Sequence, residues 1–105
     1  MSLKEDQLEA DMLIDLLKRA KIGDTNHTDL DNITKGLPDR DRKLARKIAK
    51  KLINKGILHR HPTSHACIKV SINPKQIGFV INLPLIRDEM QDGFTLQKFK
   101  KFLKD

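Results

Sequence analysis

The chain has no tryptophan and no tyrosine, and its four phenylalanines, Phe79, Phe94, Phe99 and Phe102, all lie late. Proteins that stack bases on aromatic rings need a platform of such side chains, so the lack of Trp and Tyr, with the phenylalanines far from the basic segment, argues against that mode of nucleic-acid binding. A single cysteine, Cys67, excludes an internal disulfide framework and fits a reducing compartment. No apolar run approaches the ~20 residues of a membrane span, and the first residues lack the charged-then-apolar profile of a secretory signal. The expectation is a cytoplasmic protein with no membrane partner. The glycines, Gly23, Gly36, Gly56, Gly78 and Gly93, are scattered, so there is no glycine-rich phosphate loop. No repeat or low-complexity tract is present. At 105 residues the chain has room for one domain with a modest core.

What is abundant is positive charge, and it is unevenly placed. The formal net charge is +7. Residues 1–39 carry five basic and nine acidic side chains, for −4; residues 40–82 carry eleven and one, for +10; residues 83–105 carry five and four, for +1. A polyanion is attracted to the middle of such a chain and repelled by its beginning.

Hydrophobic spacing predicts a first helix from Leu3 to Ile22, with Leu13, Leu16, Leu17 and Ala20 inward and Gly23 as its C-terminal cap. Asp24 to His27 is expected to be a polar connector, with His27 a loop residue. Thr28 is expected to cap a short helix in which Leu30, Ile33 and Leu37 face inward, closed by Gly36 and Pro38. Asp39 then caps a third helix running to Lys55, with Gly56 after it.

That third segment is the most informative one. At about 3.6 residues per turn, Leu44, Ile48 and Leu52 fall in one row and Ala45, Ala49 and Ile53 in the next. Arg40, Lys43, Arg46, Lys47, Lys50 and Lys51 sweep the opposite side. One face can enter a core while the other presents a dense positive stripe.

Beyond Gly56 the period shortens to that of strands. Ile57–His61 and Ala66–Ile72 read as a hairpin around Pro62, Thr63 and Ser64. Asn73-Pro74 fits a helix start, and Lys75–Asn82 is the expected helix, stopped by Pro84. Residues 85–93 have no clear pattern. Thr95 caps a last helix whose Leu96, Phe99, Phe102 and Leu103 form one apolar stripe. The fold class expected is α+β and mainly helical, with a core at 1–73 and a C-terminal helical extension at 74–105.

The order helix, short helix, basic helix, strand, turn, strand resembles the winged helix-turn-helix family of small transcription regulators. The resemblance is carried by Leu30 and Ile33, by Gly36-Leu37-Pro38 in the turn, and by Leu44 to Leu58, above all Lys51-Leu52-Ile53-Asn54-Lys55-Gly56-Ile57-Leu58. It covers about residues 10 to 73 and identifies no subfamily. It implies a three-helix bundle with a β-hairpin wing, whose third helix enters the major groove of double-stranded DNA. On that implication the DNA-binding residues are Arg40, Arg42, Lys43, Arg46, Lys47, Lys50 and Asn54 on the helix. On the wing they are Arg60, His61, Thr63, Ser64 and His65. Such a helix is rich in cations and poor in amides, so phosphate affinity outweighs base discrimination.

His59, His61, His65 and Cys67 form the one cluster with metal-ligating chemistry. If Pro62, Thr63 and Ser64 close the hairpin, His61 sits opposite His65 and His59 opposite Cys67, on one face. Four ligands on two adjacent strands tend to lie in a row, and a one-residue slip separates them. No metal or other cofactor is therefore assigned. Nor does a paired carboxylate or a cleft-bound nucleophile point to an enzyme.

The expected function is non-catalytic double-stranded DNA binding in transcription regulation, with a possible homodimer through the C-terminal tail. The alternatives from the same residues are an RNA-binding winged helix, a protein-interaction module whose basic helix meets an acidic surface, and a repressor responding to metal at the His/Cys cluster.

Overall fold

A computed structural model describes residues 3–23, 26–61 and 68–89. The elements run α1 (Leu3–Lys18), β1 (Thr28–Asp29), α2 (Leu30–Thr34), α3 (Asp39–Asn54), β2 (Leu58–His61) and β3 (Lys69–Ile72). A 3-10 turn at Pro74–Gln76 then leads into α4 (Ile77–Ile81) and α5 (Pro84–Glu89). The three strands form one antiparallel sheet in the order β1-β3-β2. The α+β, mainly helical class expected from the sequence holds at this level. Among the described residues no helix is long and apolar enough to cross a membrane.

The core lies between α1, α3 and the inner face of the sheet. Leu13, Leu16 and Leu17 of α1 meet Ala45, Ile48, Ala49 and Leu52 of α3, and Leu58, Val70 and Ile72 close it from the sheet. Ile77, Val80, Ile81 and Ile86 of α4 and α5 are buried in the same core. Within residues 74–89, expected as an extension, α4 and α5 thus bury side chains in the core, and α5 packs against α1.

Several local expectations are corrected. The first helix ends at Lys18, four residues before Ile22. Lys21 donates its backbone N–H to Leu16 and Ala20 to Leu17, and Ala20 has φ +56°. This 6→1 and 5→2 pair is a Schellman turn with an alanine at the left-handed position that glycine usually takes. Gly23 instead serves the sheet. At φ +87° it donates to the carbonyl of Ile72, while Ile72 donates back to Lys21.

Thr28 does not cap α2. It lies in β1 opposite Val70, and its Oγ1 accepts from the Asn32 side chain at 3.1 Å. Asp29 takes the N-cap position without a side-chain capping bond. A two-residue strand carries no alternation to detect, so the sequence shows only a polar connector there.

Pro38, not Asp39, is the N-cap of α3; Asp39 and Asp41 lie in the first turn, where carboxylates suit the helix dipole. The far end matches expectation. Gly56 donates to Ile53 and Ile57 to Leu52, a second Schellman turn with glycine at φ +79°. Asn73 caps the 3-10 turn as expected, accepting from the Lys75 N–H at 3.0 Å. Pro84 opens α5 instead of ending helix. Proline suits the first helical position because its missing N–H has no partner there anyway. The last helix expected from Thr95, and the tail dimer contact, fall outside the described residues.

Candidate nucleic-acid interface

The helix α3 carries the largest run of exposed cations. Its buried side, Ala45, Ile48, Ala49 and Leu52, locks its rotation against α1 and the sheet. The opposite side then has no freedom to turn inward. Arg40, Lys43, Lys47, Lys50 and Asn54 are exposed and lie within one narrow sector along the helix, flanked by Arg46 and Lys51. Among the described residues Arg40, Lys43, Lys47 and Lys50 make no ion pair within 4.0 Å. The face therefore presents charge that no neighbour neutralises. Arg46 is also exposed, with its guanidinium 3.7 Å from Asp31. An exposed pair of that length contributes little, and a competing anion can displace it.

Arg42 is different, and here the structure separates two residues the sequence grouped together. It is half-buried, and its Nε donates to the carbonyl of Leu37 at 3.0 Å and its Nη2 to that of Lys35 at 2.9 Å. Asp39 lies 3.8 Å from the same guanidinium. Arg42 thus clamps the α2–α3 turn and satisfies carbonyls that the end of α2 leaves open. Its charge is committed to the scaffold, and it is a positioning residue for the exposed face. The signal for this was weak: an arginine four residues after a proline turn, on the edge of the basic sector.

The first turn of α3 is also anchored to α1, with Lys4 Nζ 2.8 Å from Asp41 Oδ1. At the other end Lys51 and Lys55 lie toward α1, near Glu9. Burial pushes the Glu9 carboxyl above its usual value; Lys55 pulls it back, Asp6 adds to the rise, and Lys51 lowers it again. Lys51, counted in the positive stripe on sequence, is thus at its edge.

The hairpin pairs Leu58 with Ile72, His59 with Ser71, Arg60 with Val70 and His61 with Lys69. This corrects the register assumed for the metal cluster. The connection spans residues 62–68 instead of three residues. His61 then faces Lys69 instead of His65, and His59 faces Ser71 instead of Cys67. Among the described residues no group of three or more His, Cys, Asp or Glu side chains is placed to hold a metal ion. Thr63, Ser64, His65 and Cys67 fall outside the described residues.

Register also decides which face of the sheet each hairpin side chain takes. Leu58, Arg60, Val70, Ile72 and Thr28 share the core-side face, with Arg60 exposed, and His59, His61, Lys69 and Ser71 share the other. On that face His61 Nε2 and the fully buried Ser71 Oγ share a hydrogen bond of 2.8 Å whose direction follows the tautomer. The His61 ring packs on that of His27, with centroids 4.5 Å apart and planes tilted by 33°. His61, expected as a free donor at the wing tip, is built into a polar cover over the sheet. His27, expected as a plain loop residue, is part of that cover. Nothing in one sequence shows that residues 27 and 61 meet. Arg60 is exposed.

The chain matches no protein-family model, no curated protein and no solved structure.

Proposed function

We propose that the chain is a winged helix-turn-helix protein that binds double-stranded DNA non-catalytically, with α3 in the major groove, as a transcription regulator. The observation that carries this reading is the outward sector of Arg40, Lys43, Lys47 and Lys50 on a helix whose other side is locked into the core. The element order supports it: a short helix, a turn clamped by Arg42, the basic helix, then the β2–β3 hairpin, which β1 extends to a sheet in the order β1-β3-β2. Lysine ammonium groups suit phosphates. Arg40 and Arg46 add guanidinium forks, which can donate two hydrogen bonds to guanine O6 and N7. Arg60 stands at the hairpin, where it can reach the flanking backbone.

The test is binding of a labelled random-sequence duplex across a salt series, comparing the protein with a Lys43→Ala/Lys47→Ala/Lys50→Ala variant. Each lost phosphate contact lowers the salt slope by about 0.9. The expected result is steeply salt-dependent binding whose slope drops by about two to three in the variant. Absence of binding at low salt, or binding that the variant leaves unchanged, overturns the reading. Preferential competition by duplex RNA would move the assignment to RNA.

A further inference from the structure

The two large apolar side chains that stand exposed among the described residues are Phe79, at 53 %, and Leu85, at 37 %. Both line one groove, which encloses about 340 Å³ between α1 and the α4–α5 unit. Ala10, Ile57, Leu83 and Ile86 add to its apolar wall. Its charged groups are Asp6 and Glu9, one turn apart on α1, and Lys55 just beyond α3. An apolar hollow of that volume, with a few charged groups converging on it, has the make-up of a small-molecule site.

We propose that this groove binds a hydrophobic amine, its apolar body seated against Phe79 and Leu85 and its protonated amino group against Asp6 and Glu9.

Two observations select a cationic head. The first is that the acidic charge in the groove is uncommitted. Among the described residues neither Asp6 nor Glu9 makes a hydrogen bond or an ion pair through its carboxyl group. Two carboxylates face one ammonium, that of Lys55, so the groove carries one negative charge in excess. The second is the state of Glu9. Burial disfavours its charged form; Lys55 offsets this, Asp6 adds to it, and Lys51 offsets it again, with the balance still on the side of the burial. An ammonium ion placed between Asp6 and Glu9 supplies the compensation that the protein's own lysines leave incomplete. The apolar body follows from the walls: a large exposed aromatic and a large exposed aliphatic side chain on one hollow gain most from a ring or a branched chain that removes both from water. None of the described residues lining the groove belongs to the sector of Lys43, Lys47 and Lys50. The proposal therefore stands or falls separately from DNA binding.

The experiment titrates the full chain with three probes that share one naphthalene body: 1-naphthylmethylamine, 1-naphthalenemethanol and 1-naphthoate. With no tryptophan or tyrosine in the protein, the naphthalene emission is read without interference. The net charge of +7 favours the anionic probe wherever binding is unspecific, so a preference for the cation is diagnostic. The expected order is amine, then alcohol, then carboxylate, with the amine about tenfold tighter than the alcohol, as a charge-assisted hydrogen bond provides. Asp6→Asn/Glu9→Gln should abolish that preference and leave the affinity for the alcohol within about twofold, which also shows that the variant is folded. Phe79→Ser/Leu85→Ser should weaken all three probes. Absence of binding by every probe overturns the proposal. So does a carboxylate that binds as well as the amine, or a preference for the amine that the Asp6/Glu9 variant retains. A dimer mass by light scattering that Phe79→Ser/Leu85→Ser disperses assigns the groove to a second copy and overturns the ligand site.

Discussion

The side-chain amide of Asn73 donates to the carbonyl of Gly56 at 2.9 Å, tying the end of β3 to the turn that ends α3. The backbone N–H of the same residue donates to Ile57 at 2.9 Å, and its Oδ1 accepts from Lys75. One asparagine thus holds the exit of the basic helix, the entry to the hairpin and the start of the 3-10 turn in one arrangement. The angle at which α3 leaves the sheet, and so the direction its lysines face, depends on it.

Asn73→Asp is expected to destabilise the fold by about 1–3 kcal/mol, because the capping oxygen survives while the half-buried Gly56 carbonyl loses its donor. Urea denaturation would read this as a lower midpoint at unchanged slope. A wild-type midpoint would show that the three elements are held together by packing alone.

The two Schellman turns make opposite predictions. Ala20 pays the cost of a left-handed conformation, so Ala20→Gly should stabilise by up to about 1 kcal/mol. Gly56→Ala should destabilise by about 1–2 kcal/mol. An added Cβ at Gly56 meets nothing within 4 Å, so the whole of that effect would be backbone strain. Thermal melts of both variants beside the parent check the pair of signs.

Arg42 and Lys47, two residues of one basic helix, should separate cleanly. Arg42→Ala breaks the clamp on Leu37 and Lys35 and is expected to cost about 1–2 kcal/mol of stability. Lys47→Ala should change stability by less than about 0.5 kcal/mol. In the proposed DNA complex Lys47→Ala should lower the salt slope by about 0.9. Arg42→Ala should leave that slope intact at temperatures where the variant stays folded. Denaturation and duplex titration on the same two proteins decide it.

Glu9 supplies a pH signature. Its carboxyl titrates above its ordinary value in the folded protein, chiefly from burial, so the folded state holds its proton more tightly than the unfolded chain does. The cost of ionising it is absent below the ordinary glutamate range, builds as pH rises through that range toward the raised folded value, and is complete above it. Glu9→Gln should therefore raise the melting temperature at pH 7 and lose that advantage below about pH 4. An equal gain at both pH values would mean the effect comes from packing.

Much of this molecule is legible in one dimension. The buried rows of α1 and α3, the positive sector opposite Leu52 and Ile48, the glycine stop at Gly56 and the Asn73-Pro74 start all follow from short-range periodicity and capping. Those signals act within a few residues and need no knowledge of the rest of the chain. The α+β class follows from the change of period after Gly56.

What tertiary structure decided is everything that depends on pairing across distance. Thr28 and Asp29 become a strand only because the edge of β3 offers them partners; two residues have no pattern of their own. The hairpin register depends on which residues of β3 cover the core, and it sets His61 opposite Lys69 and in hydrogen-bond contact with Ser71. The end of α1 came four residues early because Ile72 claims the backbone of Lys21 and Gly23. Arg42 and Lys43 are neighbours with the same charge in the sequence. The fold turns one toward the Leu37 carbonyl and the other toward solvent, because a helix rotates each successive residue by about 100° and only packing sets where that rotation begins.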